Sequence, residues 1–239
     1  MLSVVHQRDA AEGVFAEPVR AAGHELVEWL PQEALPPELD GIGAALVWGS
    51  EAHPDQEQRH PWLRAEKQVV GELLERDIPT LGICFGAELV AGAAGAAVRR
   101  AAEPEIGWYE IELTPEGEAD PVLGVLPRRF EGFMWHHYES LLPAGAVELA
   151  RTARCLHGFR LGDRPAWGLQ FHPEVTSESL NGWLDGWEND QDAQGLGFDP
   201  EQIRAESRAK IGAWNDVGRA LAERFLQEAD LAQAAEPPA

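Results

Sequence analysis

The segment Ile78-Pro79-Thr80-Leu81-Gly82-Ile83-Cys84-Phe85-Gly86 constrains this chain more than any other. Its apolar run reads as a buried strand, and Ala87 to Ala94 reads as a helix rich in small residues. A strand that turns sharply into a helix, with a glycine on each side of a cysteine, is the G-x-S-x-G elbow with sulfur in place of oxygen. Gly82 and Gly86 matter because a Cβ at either position would crowd the turn. Such an elbow belongs to an α/β fold and puts its nucleophile at the carboxyl end of a strand, where open sheets hold their ligands. Cys84 also stands at a helix N-terminus, where unpaired N–H groups and the helix dipole favour a thiolate.

A second run, Gly168-Leu169-Gln170-Phe171-His172-Pro173-Glu174, ends a later strand with a histidine and an acid two positions on. Pro173 stops that strand and fixes a turn on which both side chains can converge. The pair completes a constellation of Cys84 as nucleophile, His172 as base and Glu174 as the acid that orients it.

The rest of the chain fits this frame. Strands are expected at Leu2–Val5, Glu25–Leu30 and Ala44–Val47, with helices at Val14–Ala22 and Trp62–Arg76. This alternation implies a mostly parallel central sheet flanked by helices. From Arg99 to Phe171 the pattern changes to strand-like runs between Pro and Gly turns (Trp108–Leu113, Arg128–Trp135, Val147–Arg151, His157–Leu161, Ala166–Phe171). These imply an antiparallel ribbon that returns to the main sheet. Helices follow at Leu180–Glu188, Pro200–Ala213 and Asp216–Ala232. With no internal repeat or long linker, residues 1–233 are expected to form a single domain, and 234–239 a frayed tail.

Composition narrows the classes of partner. The 239 residues carry 44% hydrophobic and 25% charged side chains, as a globular protein does, and a net charge of −22. That acidity argues against nucleic acid or an anionic membrane as partner. Two cysteines are too few for a secreted disulfide scaffold, and the N-terminal residues show no basic leader. No apolar stretch is long enough to span a bilayer. A cytoplasmic location is the expectation.

The elbow Leu81 to Gly86 and the run Gly168 to Glu174 resemble the two signature motifs of the class I glutamine amidotransferases. Pro104-Glu105-Ile106-Gly107-Trp108 and the helix opening Pro61-Trp62-Leu63 make the chain similar to the stand-alone branch, near the amidotransferase domain of GMP synthase. The similarity runs from Val4 to the C-terminal helices and implies a flavodoxin-like fold. It implies that Cys84 attacks the side-chain amide of glutamine and forms a γ-glutamyl thioester. His172 would pass the proton to departing ammonia, and the backbone N–H groups of Phe85 and Gly49 would hold the oxyanion. No cofactor and no metal are implied. Neither a Ser-Gly-Gly-x-Asp-Ser loop nor a G-x-x-x-x-G-K-[ST] loop is present, so acceptor activation would fall to a synthetase partner.

Three stretches depart from the family pattern. Glu88 stands where relatives carry a substrate-lining glutamine, Trp48-Gly49-Ser50 replaces a Gly-Gly-Pro turn, and Cys155-Leu156-His157-Gly158-Phe159 replaces an asparagine-glutamine-alanine-phenylalanine pattern. Glu88 is expected to face the pocket, and if ionised it would oppose the Cys84 thiolate and a substrate α-carboxylate. Arg99 or Arg100 could neutralise it. Alternatives to glutamine hydrolysis are another γ-glutamyl amide or peptide with a cationic end, or a regulatory protein that keeps the triad with little turnover. Cys155 reads as a buried structural thiol. His136 and His137, adjacent on a strand, point to opposite faces and cannot readily share one metal. One is expected at the active-site rim and the other in solvent.

Overall fold

The computed structural model of the chain describes residues 1–7 and 11–235. A nine-stranded mixed sheet has the order β2-β1-β3-β4-β9-β8-β7-β5-β6. The first five strands in that order are parallel: β2 (Val27–Trp29), β1 (Leu2–Val4), β3 (Ala45–Val47), β4 (Thr80–Ile83) and β9 (Ala166–Leu169). β8 (Leu156–Arg160), β7 (Val147–Arg151), β5 (Val98–Leu113) and β6 (Arg129–Ser140) continue the same sheet as the antiparallel ribbon.

The parallel strands read as continuous apolar runs because both of their faces are covered. Ala45 and Val47 point to one face, toward Leu63, Val70 and Leu73 of α2 (Trp62–Glu75) and Leu89 and Val90 of α3 (Phe85–Ala93). Leu46, Leu81, Ile83 and Trp167 point to the other, toward Phe15, Val19 of α1 (Ala16–Ala21), and Leu221 and Phe225 of α6 (Pro200–Ala235). Alternate residues of one short strand thus feed two hydrophobic cores. A single turn α4 (Pro115–Glu118), capped by Thr114, and α5 (Ser177–Asp185), opened by a Thr176–Ser179 capping box, complete the helices.

Register brings the functional ends together. Gly82 pairs with Gly168 and Ile83 with Leu169, so β4 and β9 finish side by side. Cys84 N–H then donates to the Leu169 carbonyl at 2.7 Å, and His172 N–H donates to the Phe133 carbonyl of β6 at 2.9 Å. β6 therefore runs across the carboxyl ends of the parallel strands and walls the site on one side.

Two elements differ from the sequence reading. β5 begins at Val98, ten residues before the expected Trp108, with an irregularity between Arg100 and Glu105. Pro104, which lacks the donor a ladder needs, sits in that interruption. The two expected C-terminal helices are one helix of 36 residues, α6, opened by Asp199, whose carboxylate accepts from Glu201 and Gln202 N–H. Trp214 and Asn215, which read as a break, are helical because their side chains find partners across the interface. Trp214 Nε1 donates to the His172 carbonyl at 2.8 Å and Asn215 Nδ2 to the Val175 carbonyl at 2.7 Å. The helix continues to Ala235, two residues into the expected tail, and 236–239 lie outside the described residues.

Candidate active site

Cys84 is the residue between β4 and α3, with φ 52° and ψ −110°. A positive φ in a non-glycine residue is strained, and it is held here by the strand before and the helix after it. The flanking glycines are required by contact. A Cβ on Gly82 would come within 2.5 Å of the Gly86 backbone, and one on Gly86 within 2.0 Å of the Val47 carbonyl oxygen. The result presents Sγ at the head of α3, 3.5 Å from the Trp135 carbonyl of β6. Phe85 opens α3, so its N–H has no partner within the helix.

His172 and Glu174 stand on the turn after β9, both buried, with Nδ1 and Oε1 2.7 Å apart. Because that contact occupies Nδ1, Nε2 is the ring atom left to act on another group, and it has no protein partner. Burial works against the charged ring, but the Glu174 carboxylate and Cys84 outweigh it and raise the His172 pKa well above the ordinary value. Burial pushes the Cys84 thiol up, and His172 pulls it partly back. Gly49, in the turn after β3, packs against both: its Cβ position lies 3.2 Å from His172 Cε1 and 3.9 Å from Cys84 Cβ. The structure therefore brings Cys84, His172, Glu174, Gly49 and Phe85 to one place.

Glu88 lines the same cleft one helical turn beyond Cys84. It is 3% exposed, and burial pushes its carboxyl up to about 8. Neither arginine neutralises it, since Arg99 pairs with Glu139 and Arg100 with Asp192. At neutral pH Glu88 is mostly protonated, so it carries a donor where a glutamine would carry an amide.

The structure adds groups that the sequence did not single out. Gln170 Nε2 bridges Glu88 Oε1 (3.2 Å) and Cys84 Sγ (3.7 Å). His6 is buried between the Gly49 carbonyl (2.9 Å) and Glu66 (2.7 Å), so β1 and α2 brace the Gly49 turn. Glu66 occupies the apolar face of α2, where a charge at a core position was the one available signal. The cleft, of 670 Å³, opens past His53, Tyr138, Asp190 and Asp192. Both expected fates of the histidine pair need correction. His137 is not in solvent: it is 7% exposed, lines the cleft and lies 3.2 Å from Asp190 Oδ2. His136 is buried beside Glu105 and His157. Cys155 is half-buried, 3.5 Å from Glu105 Oε2.

A cysteine elbow, a buried His–Glu pair and a glycine turn at the carboxyl ends of a parallel sheet define a class of hydrolytic and transfer enzymes, and sequence comparison narrows it. A family model described as glutamine amidotransferase class-I matches residues 40–182. The chain belongs to that family. It is 30% identical over 238 residues, and over 96% of each chain, to a glutamine amidotransferase-like protein, YfeJ, of Salmonella typhimurium. It is 36% identical over 118 residues to the glutamine-hydrolysing component of a two-part GMP synthase from Methanoculleus marisnigri, covering 48% of this chain and 62% of that one. Among solved structures, a glutamine amidotransferase from Thermotoga maritima superimposes with a TM-score of 0.82 at 26% identity, covering 95% of this chain and 97% of the other. The chain is therefore a class I glutamine amidotransferase by family. Among the described residues, no helix is long and apolar enough to cross a membrane.

Proposed function

We propose that this protein hydrolyses the side-chain amide of glutamine and releases ammonia to a partner that activates the acceptor. The observation that carries this reading is Cys84, strained at the head of α3, beside a His172 whose other nitrogen is held 2.7 Å from Glu174. His172 Nε2 takes the thiol proton as Sγ attacks the amide carbon, and the carbonyl π pair moves to oxygen. The N–H groups of Phe85 and Gly49 stabilise that oxyanion, a contribution of roughly 3–4 kcal/mol for one such donor. The tetrahedral species collapses, the C–N bond breaks, and the imidazolium proton leaves with ammonia. Water, deprotonated by the same nitrogen, then cleaves the thioester to glutamate and free thiol.

The protonated Glu88 supports glutamine as substrate, because a neutral acid does not repel the α-carboxylate and offers it a donor. The relatives named as GMP synthases support a synthetase partner for a chain of this kind. The carboxylates at the mouth, Asp190 and Asp192, favour the second reading, a γ-glutamyl amide with a cationic end. Ammonia release from L-glutamine and from a panel of γ-glutamyl amides discriminates between the two. Parent protein should turn over glutamine, and Cys84→Ala should show no turnover on any of them. Activity that survives in Cys84→Ala would remove the mechanism. Stoichiometric labelling of Cys84 by an electrophilic glutamine analogue, with no turnover, would instead mark a regulatory protein.

A further inference from the structure

Behind the cleft wall, four side chains from three strands meet: Glu105 of β5, His136 of β6, His157 of β8, and Cys155 just before β8. One donor atom of each lies within 4.8 Å of the other three. Glu105 Oε2 is 2.7 Å from His157 Nε2, 3.2 Å from His136 Nε2 and 3.5 Å from Cys155 Sγ. Cys155 Sγ is itself 3.4 Å from His157 Nε2. The side chains of Glu105, His136 and His157 are 0% exposed.

Hydrogen bonding alone does not satisfy this cluster. His136 Nδ1 lies 2.8 Å from the Tyr138 carbonyl, which can only accept, so that nitrogen carries the proton. In the neutral ring, Nε2 then aims a lone pair at a carboxylate oxygen that also has only lone pairs. Three groups crowd Glu105 Oε2 while Oε1 is buried without a partner. A second proton on His136 would relieve one contact and still leave Oε1 unsatisfied. A cation at the centre receives all four donors. The carbonyl that fixes the His136 tautomer is the kind of outer partner that metal-bound histidines regularly have.

We propose that Glu105, His136, Cys155 and His157 form a zinc site that ties β5, β6 and β8 together behind the active-site cleft. Two imidazoles, a thiolate and a carboxylate suit zinc and are a poor set for magnesium or calcium. Zinc bonds of about 2.0–2.3 Å set tetrahedral donors roughly 3.3–3.8 Å apart, so the 2.7–3.5 Å spacings need open only by about half an ångström. Cys155 binds as thiolate and gives its proton to bulk water. Four protein ligands leave no open position, which makes the site structural. Its placement reaches the chemistry through the backbone: Trp135, next to His136, receives the Cys84 thiol, and the His157 carbonyl accepts from Gln170 N–H. His136 and His137 do not share the ion, since they face opposite sides of β6. Cys155 and His157 fall where the chain departs from its family pattern, so the site belongs to this chain and not to the family's common frame.

Elemental analysis of the full-length protein, purified without chelator or reloaded with zinc under reducing conditions, tests this. Parent and Cys84→Ala should each hold about one zinc per chain. Cys155→Ser and His157→Gln should lose at least tenfold in affinity. Cobalt(II) loaded into Cys84→Ala should give intense tetrahedral visible bands and a thiolate charge-transfer band, and the latter should vanish in Cys155→Ser. Chelator should lower the melting temperature of the parent by several degrees and leave Cys155→Ser unmoved. Only trace zinc after reloading would overturn the proposal. Zinc retained unchanged in both Cys155→Ser and His157→Gln, with no cobalt charge transfer, would overturn it equally.

Discussion

Glu88 is where this protein differs most from a simple copy of its family. Its proton is held more tightly in the folded state, at about 8, than at the ordinary value of 4.5. That preference stabilises the fold fully below about pH 4.5 and is lost as pH climbs through about 8. Glu88→Gln removes the linkage. Denaturation at about pH 5 and about pH 9 should show the parent losing a few kcal/mol more than the variant between the two. The same proton governs the neighbouring thiol: below about pH 8 Glu88 carries little charge, so parent and variant should be alkylated at Cys84 alike, and they should diverge above it. Identical profiles throughout would mean that the two groups are uncoupled. At the partner residue, Glu174→Gln keeps the shape and loses the charge that supports imidazolium. It should cut kcat clearly, while His172→Ala, which removes base and acid together, cuts it by several orders of magnitude. Equal activity in Glu174→Gln and parent would assign the orienting role to another acid.

Among the elements, the parallel strands, α2, α3 and the ribbon were legible because each carries its own local pattern: continuous apolar runs, a helical stripe, or turn residues at both ends. The elbow and the His-Pro-Glu turn were legible for a stronger reason, since each packs its whole chemical meaning into a few consecutive residues. What escaped was set by contacts distant in sequence. The unity of α6 depends on Trp214 and Asn215 bonding to the turn that carries His172. Burial of His137 depends on Asp190, and burial of Glu66 depends on His6. The α6 contact makes a prediction at this scale. Trp214→Phe keeps the stacking on Phe130 and loses only the donor to the His172 carbonyl. It should cost about 1–3 kcal/mol for the orphaned acceptor and lower kcat with little change in KM. An unchanged kcat would show that the turn holds its shape without the helix.

For the whole molecule, the dominant quantity is a net charge of −22. Self-repulsion at that charge works against the compact state and is screened by salt. Raising ionic strength from about 0.05 to about 0.5 M shortens the screening length from roughly 14 to roughly 4 Å. The melting temperature should rise by a few degrees over that range. A flat response would mean that the surface ion pairs, such as Arg76–Asp40 and Arg204–Asp185, already balance the excess locally.

The long C-terminal helix also fixes when the protein becomes an enzyme. Gly218 of α6 sits so close to the His172 turn that a Cβ there would fall 2.0 Å from the Pro173 carbonyl oxygen, and Trp214 and Asn215 grip the same loop. On the ribosome, Cys84, His172 and Glu174 all emerge before residues 200–235 exist, and chains fold from the N-terminus as they are made. A nascent chain therefore carries the full set of reactive groups with the base still unbraced. Its cysteine stays idle through most of translation and is switched on by the last segment to arrive.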